Sequence, residues 1–262
     1  MLSNQRAPVL LLVLTLILLA VGCSGRGETW QRIQEEGVLR VGLDPTYPPF
    51  ETADDGELRG IDVDLARALA EELGLEAQFT YFGFDGLYDA LATEQVDVLI
   101  SALVIRVEQT RDFAYSEPYF NAGQLLVTPR TEDSIREMAD LEGRTLAVEL
   151  GAEGHVIATQ WGRRLAHLEI TPLDTPQAAL DAVGAGDADA ALVDAISARI
   201  YFARNEQLHV AGEPVTVEPF AMVVRKEDER LLRNLNEALE QLETSGELEA
   251  IVKHWMAAPG LE

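Results

Sequence analysis

The chain has 262 residues, of which 47% are hydrophobic and 25% are charged, and this composition is typical of a globular protein with one large or two modest cores. Acidic residues outnumber basic residues by 45 to 20, which gives a formal net charge of −25 at pH 7. Nucleic acids and anionic membrane surfaces would repel such a chain at long range, so neither is expected to bind it.

An export signal is predicted at the start of the chain. Arg6 precedes an apolar run from Val9 to Gly22. The run is too short to span a bilayer comfortably, which takes ~20 residues, but it fits the apolar region of a secretory signal. We therefore expect residues 1–22 to be a signal peptide and the mature protein to be extracytoplasmic.

The only cysteine of the chain, Cys23, follows this run directly. The small residues Ala20 and Gly22 before it resemble a lipobox, in which the cysteine is lipidated and becomes the first mature residue. An ordinary cleavage site beside a chance cysteine is the alternative. A lipidated thiol also explains why this cysteine has no disulfide partner. We expect residues 23–36 to form a lipid-anchored N-terminus, a short tether and a first helix.

A first α/β series is predicted after that helix. The segment "VLRVGL" alternates as a strand does and runs into the turn-forming "DPTYPPF", whereas "GIDVDLARALAEELG" has an apolar residue every four positions, which indicates a helix. The predicted elements are strands at 38–43, 75–81 and 96–101 and helices at 60–74 and 85–93. This alternation predicts a parallel sheet, whose ligands lie beyond the carboxyl ends of the strands, at or near Asp44, Tyr47, Phe84 and Ser101.

A second series has the same character. Its predicted elements are strands at 145–150, 168–170 and 188–193 and helices at 153–164, 176–183 and 195–204. Extended segments at 124–130 and 217–226 bracket this series, and helices at 227–244 and 248–256 close the chain. Two crossings between the series predict a hinge. We expect one lobe from residues 37–125 and 218–262 and a second lobe from residues 126–217.

The sequence offers no pattern for a metal, a cofactor or a catalytic group. The four histidines are scattered without metal-ligand spacing. The segment "GAGDAD" at 184–189 lacks the third glycine of a dinucleotide fingerprint and is better explained as a helix end. No nucleophile elbow is evident. What remains is a cleft between two lobes, with aromatic and acidic residues along it.

The chain resembles the polar amino-acid type of extracytoplasmic solute-binding protein that serves ABC transporters, known as family 3. The resemblance is carried by "VLRVGLDPTYPPFETADDGELRGIDVDLARALAEELG", "GFDGLYDALATEQVDVLISAL" and "FAYSEPYF", and it extends to Trp255. It implies the type II periplasmic-binding fold, in which two Rossmann-like α/β lobes joined by two hinge strands close on a small polar solute. It also implies a monomer that delivers the solute to an ABC permease.

Carried over by position, the resemblance implies a set of ligand contacts in the first lobe. Asp44 would orient the ligand loop, and the rings of Tyr47 and Phe84 would sandwich the ligand, although either ring could instead be a turn or core residue. The strand end would offer backbone groups to the ligand, at Ser101, Ala102 and Leu103.

In the second lobe, Asp194 matches the acid that receives the ligand's α-ammonium group. A carboxylate and an ammonium in a closed cleft make a strong charge-assisted hydrogen bond. The alternative is a helix N-cap at this strand-to-helix turn, and one residue could do both.

The sequence departs from the family where the ligand's α-carboxylate is usually held. Gln109 replaces the arginine that grips this carboxylate, and Val104 replaces a hydroxyl residue. The second-lobe "Gly-Thr-Thr" is Gly151, Ala152 and Glu153 here.

Three roles are therefore open for Arg106: it could reach inward and replace the lost charge, pair with Glu153 across the closed cleft, or face solvent. Arg111 is expected on the surface. Two hypotheses follow for the ligand, namely that Arg106 binds its carboxylate or that it has no carboxylate at this position.

We expect a binding protein rather than an enzyme, with a small, nitrogen-containing polar solute as its ligand. One alternative is an enzyme on the same scaffold, similar to cyclohexadienyl dehydratase, with Glu153 as general acid. The other is a ligand-sensing partner of a membrane receptor.

Overall fold

The computed structural model describes residues 28–54 and 56–258, so the predicted signal peptide and Cys23 lie outside the described residues. The helices are α1 (Glu28–Glu36), α2 (Ile61–Glu72), α3 (Leu87–Ala92), α4 (Glu153–Gly162), α5 (Pro176–Ala185), α6 (Ala195–Phe202), α7 (Glu229–Ser245) and α8 (Glu247–Met256). None of these helices is both long enough and apolar enough to cross a bilayer.

The strands alternate with these helices much as the sequence predicts. They are β1 (Val38–Leu43), β2 (Thr46–Tyr47), β3 (Glu51–Asp54), β4 (Glu57–Arg59), β5 (Glu76–Tyr81), β6 (Val98–Leu99), β7 (Phe113–Asn121), β8 (Gln124–Pro129), β9 (Thr145–Glu149), β10 (Glu169–Leu173), β11 (Ala190–Asp194), β12 (Leu208–Val210) and β13 (Pro219–Arg225).

Two five-stranded sheets organise the protein. The first has the order β5-β1-β6-β13-β7, and its strands β5, β1 and β6 are parallel. The second has the order β10-β9-β11-β8-β12, and its strands β10, β9 and β11 are parallel. We call the bodies built on these sheets the first and the second lobe. This two-lobed α/β architecture confirms the predicted fold class.

The chain crosses between the sheets twice, from β7 to β8 and from β12 to β13. Gln124 and Leu125 already pair with β11 of the second lobe, so this sheet begins two residues before the expected boundary at 126. The two crossings touch, because a Cβ atom on Gly123 would lie only 2.0 Å from the carbonyl oxygen of Thr216. Only glycine permits this approach, so the two crossings lie directly against each other at the place where the sequence predicts a hinge.

Some local predictions were wrong in the first lobe. The strand predicted at 96–101 is reduced to Val98–Leu99, because the chain leaves the sheet at Ser101 and Ala102 takes a left-handed conformation with φ of 45°. The helix predicted at 85–93 begins only at Leu87, after a short 3-10 turn. The small sheet β2-β3-β4, which contains Tyr47, was not predicted.

The helical stripe of α2 is buried as its spacing predicts. Ile61, Leu65 and Leu69 are fully buried in the first-lobe core, together with residues of α1, α7 and α8. Full burial of such a side chain contributes about 1.5 to 3 kcal/mol, so this stripe alone accounts for much of the attachment of α2 to the sheet.

A buried ion-pair network lies at the end of the first sheet where its parallel strands begin. The carboxylate of Asp97, which is fully buried, accepts hydrogen bonds from the main-chain and guanidinium nitrogens of Arg40 and from the guanidinium of Arg32 on α1. Burial acts to raise the pKa of Asp97, but the hydrogen bonds from Arg40 and Arg32 outweigh burial and hold this pKa below its ordinary value. The network therefore joins α1 to β1.

We expect Asp97→Asn to lower the free energy of unfolding by about 2 to 3 kcal/mol, because it leaves the arginines without their counter-charge. Asp187→Asn, at an exposed aspartate, is the matched control. Chemical denaturation of both variants measures the difference, and an equal, small loss in the two would show that the network does not stabilise the fold.

Candidate functional site

A cavity of about 330 Å³ opens at the carboxyl ends of β1 and β6, beside the second crossing. It brings together five of the predicted site residues with five others. Its lining consists of Asp44, Thr46, Tyr47, Glu51, Phe84, Ser101, Ala102, Val104, Glu218 and Phe220.

Two aromatic rings form exposed walls of this cavity. Tyr47 is 45% exposed and Phe84 is 47% exposed, so both offer ring surface to solvent. The ring of Tyr47 stacks on Phe50, with 5.6 Å between centroids, and Phe50 is fully buried against Phe120 and Phe220. Tyr47 is thus supported from behind by the core while much of it remains free for a ligand.

Asp44 and Ser101 tie the loop after β1 to the end of β6. The main-chain N–H of Asp44 donates to the Ser101 hydroxyl at 3.0 Å, and an Asp44 carboxylate oxygen accepts from the Thr46 hydroxyl at 2.9 Å. The Ser101 hydroxyl in turn donates to Glu51 at 2.6 Å. This arrangement fixes the loop that carries Tyr47.

Two of the predicted ligand contacts already have partners within the protein. The N–H of Ala102 donates to Asp62 at 2.6 Å and to the Tyr119 hydroxyl at 3.1 Å, so it is already used within the protein. Leu103 is a core residue, only 2% exposed, and its carbonyl accepts from the N–H of Ala221. The sequence could not indicate these partners, because they come from distant parts of the chain.

A buried pair of acids lies at the wall of the cavity, where Glu51 belongs to the lining and Asp62 does not. Glu51 is 1% exposed and Asp62 is fully buried. Burial and the neighbouring Asp62 carboxyl raise the pKa of Glu51 far above its ordinary value, so Glu51 keeps its proton at neutral pH. Burial also raises the pKa of Asp62, to about 6. The pair therefore shares a proton rather than carrying two charges, as expected of adjacent carboxyls in a dry site.

The predicted second-lobe residues do not line the cavity. Asp194 ends β11 and caps α6, because its carboxylate accepts from the N–H of Ser197 at 2.8 Å, which is the alternative role considered for it. Asp194 also acts on the first lobe: burial raises the pKa of the Tyr47 phenol, and the negative charge of Asp194 raises it further. The two roles are compatible.

The loop before α4 is held by its own contacts. The N–H of Gly151 donates to Nδ1 of His155 at 3.1 Å, and Ala152 is the N-cap of α4 without a side-chain hydrogen bond. Glu153 is the first residue of that helix and is exposed. A Cβ atom on Gly154 would lie 2.6 Å from the carbonyl oxygen of Leu192, so the loop packs tightly on β11.

Arg106 lies against an aromatic wall rather than in the cavity. Its guanidinium carbon is 5.9 Å from the centroid of the Phe84 ring, and the side chain is exposed. No ion pair joins it to Glu153 in the part of the chain that the structure describes. Gln109 ends a 3-10 turn and does not line the cavity either, while Arg111 is exposed, as expected.

Sequence reasoning missed the cavity residues Thr46, Glu51, Glu218 and Phe220. Glu51 follows the turn "YPPF" without a periodic pattern around it, and Glu218 and Phe220 lie at the second crossing, which sequence spacing does not relate to β1. Asp62, the partner of Glu51, lies in the first turn of the helix predicted at 60–74, but its full burial there was not predicted.

Residues 39–258 match the family model of the bacterial extracellular solute-binding proteins, family 3. The chain belongs to this family. Among curated relatives, it is 32% identical to an L-cystine-binding protein of Escherichia coli, over 87% of this chain and 85% of that protein. It is 28% identical to an arginine-binding extracellular protein of Bacillus subtilis, over 94% of this chain and 96% of that protein.

Solved structures of solute-binding proteins share the fold. The L-cystine solute receptor of Neisseria gonorrhoeae, in an unliganded open conformation, matches with a TM-score of 0.73 and 26% identity, over 86% of this chain and 95% of that chain. An ancestral cationic amino acid solute-binding protein matches with a TM-score of 0.60 and 32% identity, over 87% and 99%.

The shared proton of the acid pair makes stability depend on pH. Above the ordinary glutamate pKa of 4.5, the unfolded chain releases a proton that folded Glu51 keeps. The folded state then binds more protons than the unfolded state, so the free energy of unfolding falls as pH rises, by at most about 1.4 kcal/mol per pH unit for one proton.

We therefore expect Glu51→Gln to flatten the fall in unfolding free energy between about pH 5.5 and about pH 8, because the amide has no proton to retain. Urea denaturation across this range, compared with Glu240→Gln at an exposed position of α7, measures the effect. Equal slopes in the wild-type protein and Glu51→Gln would mean that Glu51 is ionised in the folded state.

Proposed function

We propose that this protein is the solute-binding lipoprotein of an ABC importer, which captures a small, nitrogen-containing solute between its lobes and delivers it to a permease in the cytoplasmic membrane. The observation that carries this proposal is the cavity itself. Two supported aromatic rings and several carboxylates face a cleft that has a compact hinge at its base. A cleft of this kind can close on a ligand by movement of the lobes about two crossings.

The class of solute is inferred from relatives. Proteins similar to this chain are named for cystine, arginine and histidine, all of which contain amino groups. An ammonium group fits a cleft bordered by Asp44, Asp194 and Glu218, because carboxylates make strong charge-assisted hydrogen bonds with ammonium nitrogens.

We propose binding without chemistry. Glu51 is engaged with Asp62 and Ser101, and Glu153, which could act as a general acid, lies outside the cavity. The alternative of an enzyme rests on the ancestral solute-binding protein described above: a second solved structure of it, 31% identical with a TM-score of 0.53, is described as an amino acid-binding protein and a precursor of cyclohexadienyl dehydratase. Incubation with a prephenate-like acid and analysis of products tests this, and product formed in proportion to the protein would establish the enzyme.

Asp194→Asn is expected to weaken solute binding while leaving the fold intact, because asparagine still caps α6 but no longer carries a charge. Loss of one partner of a buried charged pair costs ~2 to 5 kcal/mol, or roughly 30-fold or more in Kd. Calorimetry on Asp194→Asn and on the exposed control Asp187→Asn measures this. If both retain the wild-type Kd, Asp194 does not contact the solute.

The anchor is expected to depend on Cys23. Cys23→Ser should fold and bind solute normally but should leave the membrane fraction, because stable anchoring needs the acyl chains that the thiol carries. Fractionation of cells, with the mass of the product to show whether the signal was cleaved, provides the measurement. A wild-type mature chain that starts elsewhere and carries no lipid would refute the anchor without affecting the binding proposal.

A further inference from the structure

We infer that the cleft selects a small organic cation without a free carboxylate, such as an alkyl amine, an imidazole amine or a guanidine, over the corresponding amino acid. The inference rests on the proposed solute-binding function and specifies the substrate class of the same site. It follows from the charges, the hydrogen-bond donors and the rings that the structure places around the cavity.

Every charged side chain that lines the cavity is acidic. Asp44 and Glu218 are these residues, Glu51 is a protonated acid beside them, and no lysine or arginine is among the described residues of the lining. Glu51 shares its proton with Asp62, so the pair still contributes negative charge. Asp194 adds a further carboxylate from the second lobe, close enough to influence Tyr47. A positive group is attracted from several sides, and a negative group is repelled from the same sides.

Three backbone donors near the cleft are already occupied. On the first lobe, the N–H of Asp44 donates to Ser101 and the N–H of Ala102 donates to Asp62 and Tyr119. On the second lobe, the N–H of Gly151 donates to His155. A ligand carboxylate that used one of these three donors would have to displace its internal bond first.

Two side chains near these donors also disfavour an anion. Val104 lines the cavity with an apolar side chain that offers no hydrogen bond. Glu153 places a carboxylate at the first turn of α4, where the positive end of a helix dipole could otherwise attract an anion. Like charges repel more strongly in a closed, water-poor cleft than in bulk water.

Arg106 does not compensate for these features. Its guanidinium lies over Phe84, and its charge acts on the phenol of Tyr88, which is paired with Tyr115 at 3.0 Å. It is outside the lining of the cavity. In this position it competes with a cationic ligand for the Phe84 ring rather than offering a clamp to an anionic one.

The rings supply the remaining recognition. Aromatic faces attract ammonium and guanidinium groups through cation–π interactions and also cover the apolar body of the ligand. Tyr47 and Phe84 are both about half exposed in the cavity, which suits a ligand with a flat or extended body and a positive end. The volume of about 330 Å³ on the first-lobe side is enough for a small molecule.

Matched ligand pairs that differ only in the carboxylate test the inference. The pairs are agmatine and arginine, cadaverine and lysine, and histamine and histidine, each titrated by calorimetry into the soluble protein with Cys23→Ser, without refolding. We expect at least one amine to bind at least about tenfold more tightly than its amino acid, because the carboxylate meets like charges in the closed cleft.

Two substitutions identify the groups responsible. Glu218→Gln should weaken amine binding about threefold or more, because one of the carboxylates that line the cleft is lost. Arg106→Ala should tighten amine binding, because it removes a competing cation from Phe84. The exposed control Asp187→Asn should leave the Kd of the amine unchanged.

Three results would overturn the inference. An amino acid that binds more tightly than its amine would show that the cleft accepts a carboxylate, while the proposed binding function would stand. Loss of amino acid binding in Arg106→Ala would show that this arginine is the missing clamp. If neither these ligands nor a wider panel of cystine and other amino acids bind, the solute-binding proposal itself fails, and the inference fails with it.

Discussion

The proton shared by Glu51 and Asp62 is the interaction on which the geometry of the site depends. It lets two acids occupy one buried position, where two full charges would be destabilising. Around it, Glu51 holds Ser101, while Asp62 and Tyr119 hold the N–H of Ala102. Strand β3, the start of α2, the end of β6 and strand β7 are thereby fixed to one another. Tyr47 pairs with Glu51 of β3, so this aromatic wall is placed before any ligand arrives.

The second lobe is preorganised in a different way. Asp194 is held as the cap of α6, and the loop at Gly151 is held by His155, so neither depends on the first lobe for its conformation. The two crossings between the lobes are in contact where Gly123 meets Thr216. In the closure that we propose, the lobes rotate about these crossings, and little backbone entropy is lost within either lobe.

Sequence patterns predicted the elements whose burial is periodic, and they failed where distant groups decide the structure. The spacing of Leu65 and Leu69 predicted α2 because a buried helix face repeats along the chain. No local pattern reveals that the Ser101 hydroxyl donates a hydrogen bond to Glu51, fifty positions earlier in the chain. This hydrogen bond helps to explain why β6 ends before Ser101, where the predicted strand ended. The predicted carboxyl ends of the strands suggested Asp44, Tyr47 and Phe84 as cavity residues. The occupied N–H of Ala102 and the burial of Leu103 depend on distant residues, so they became visible only in three dimensions.

Selectivity for a cation in such a cleft is a local property. The net charge of −25 attracts cations from a distance, but salt screens this field beyond about 8 Å under physiological conditions. A zwitterionic amino acid has no net charge and is neither attracted nor repelled strongly by the whole protein. The choice between an amino acid and its amine is therefore made inside the closed cleft. There the α-carboxylate of the amino acid faces the carboxylates of the protein at short range, with little water between them. The number and position of unpaired acids along the cleft, rather than the overall acidity of the chain, then decide which solute is retained.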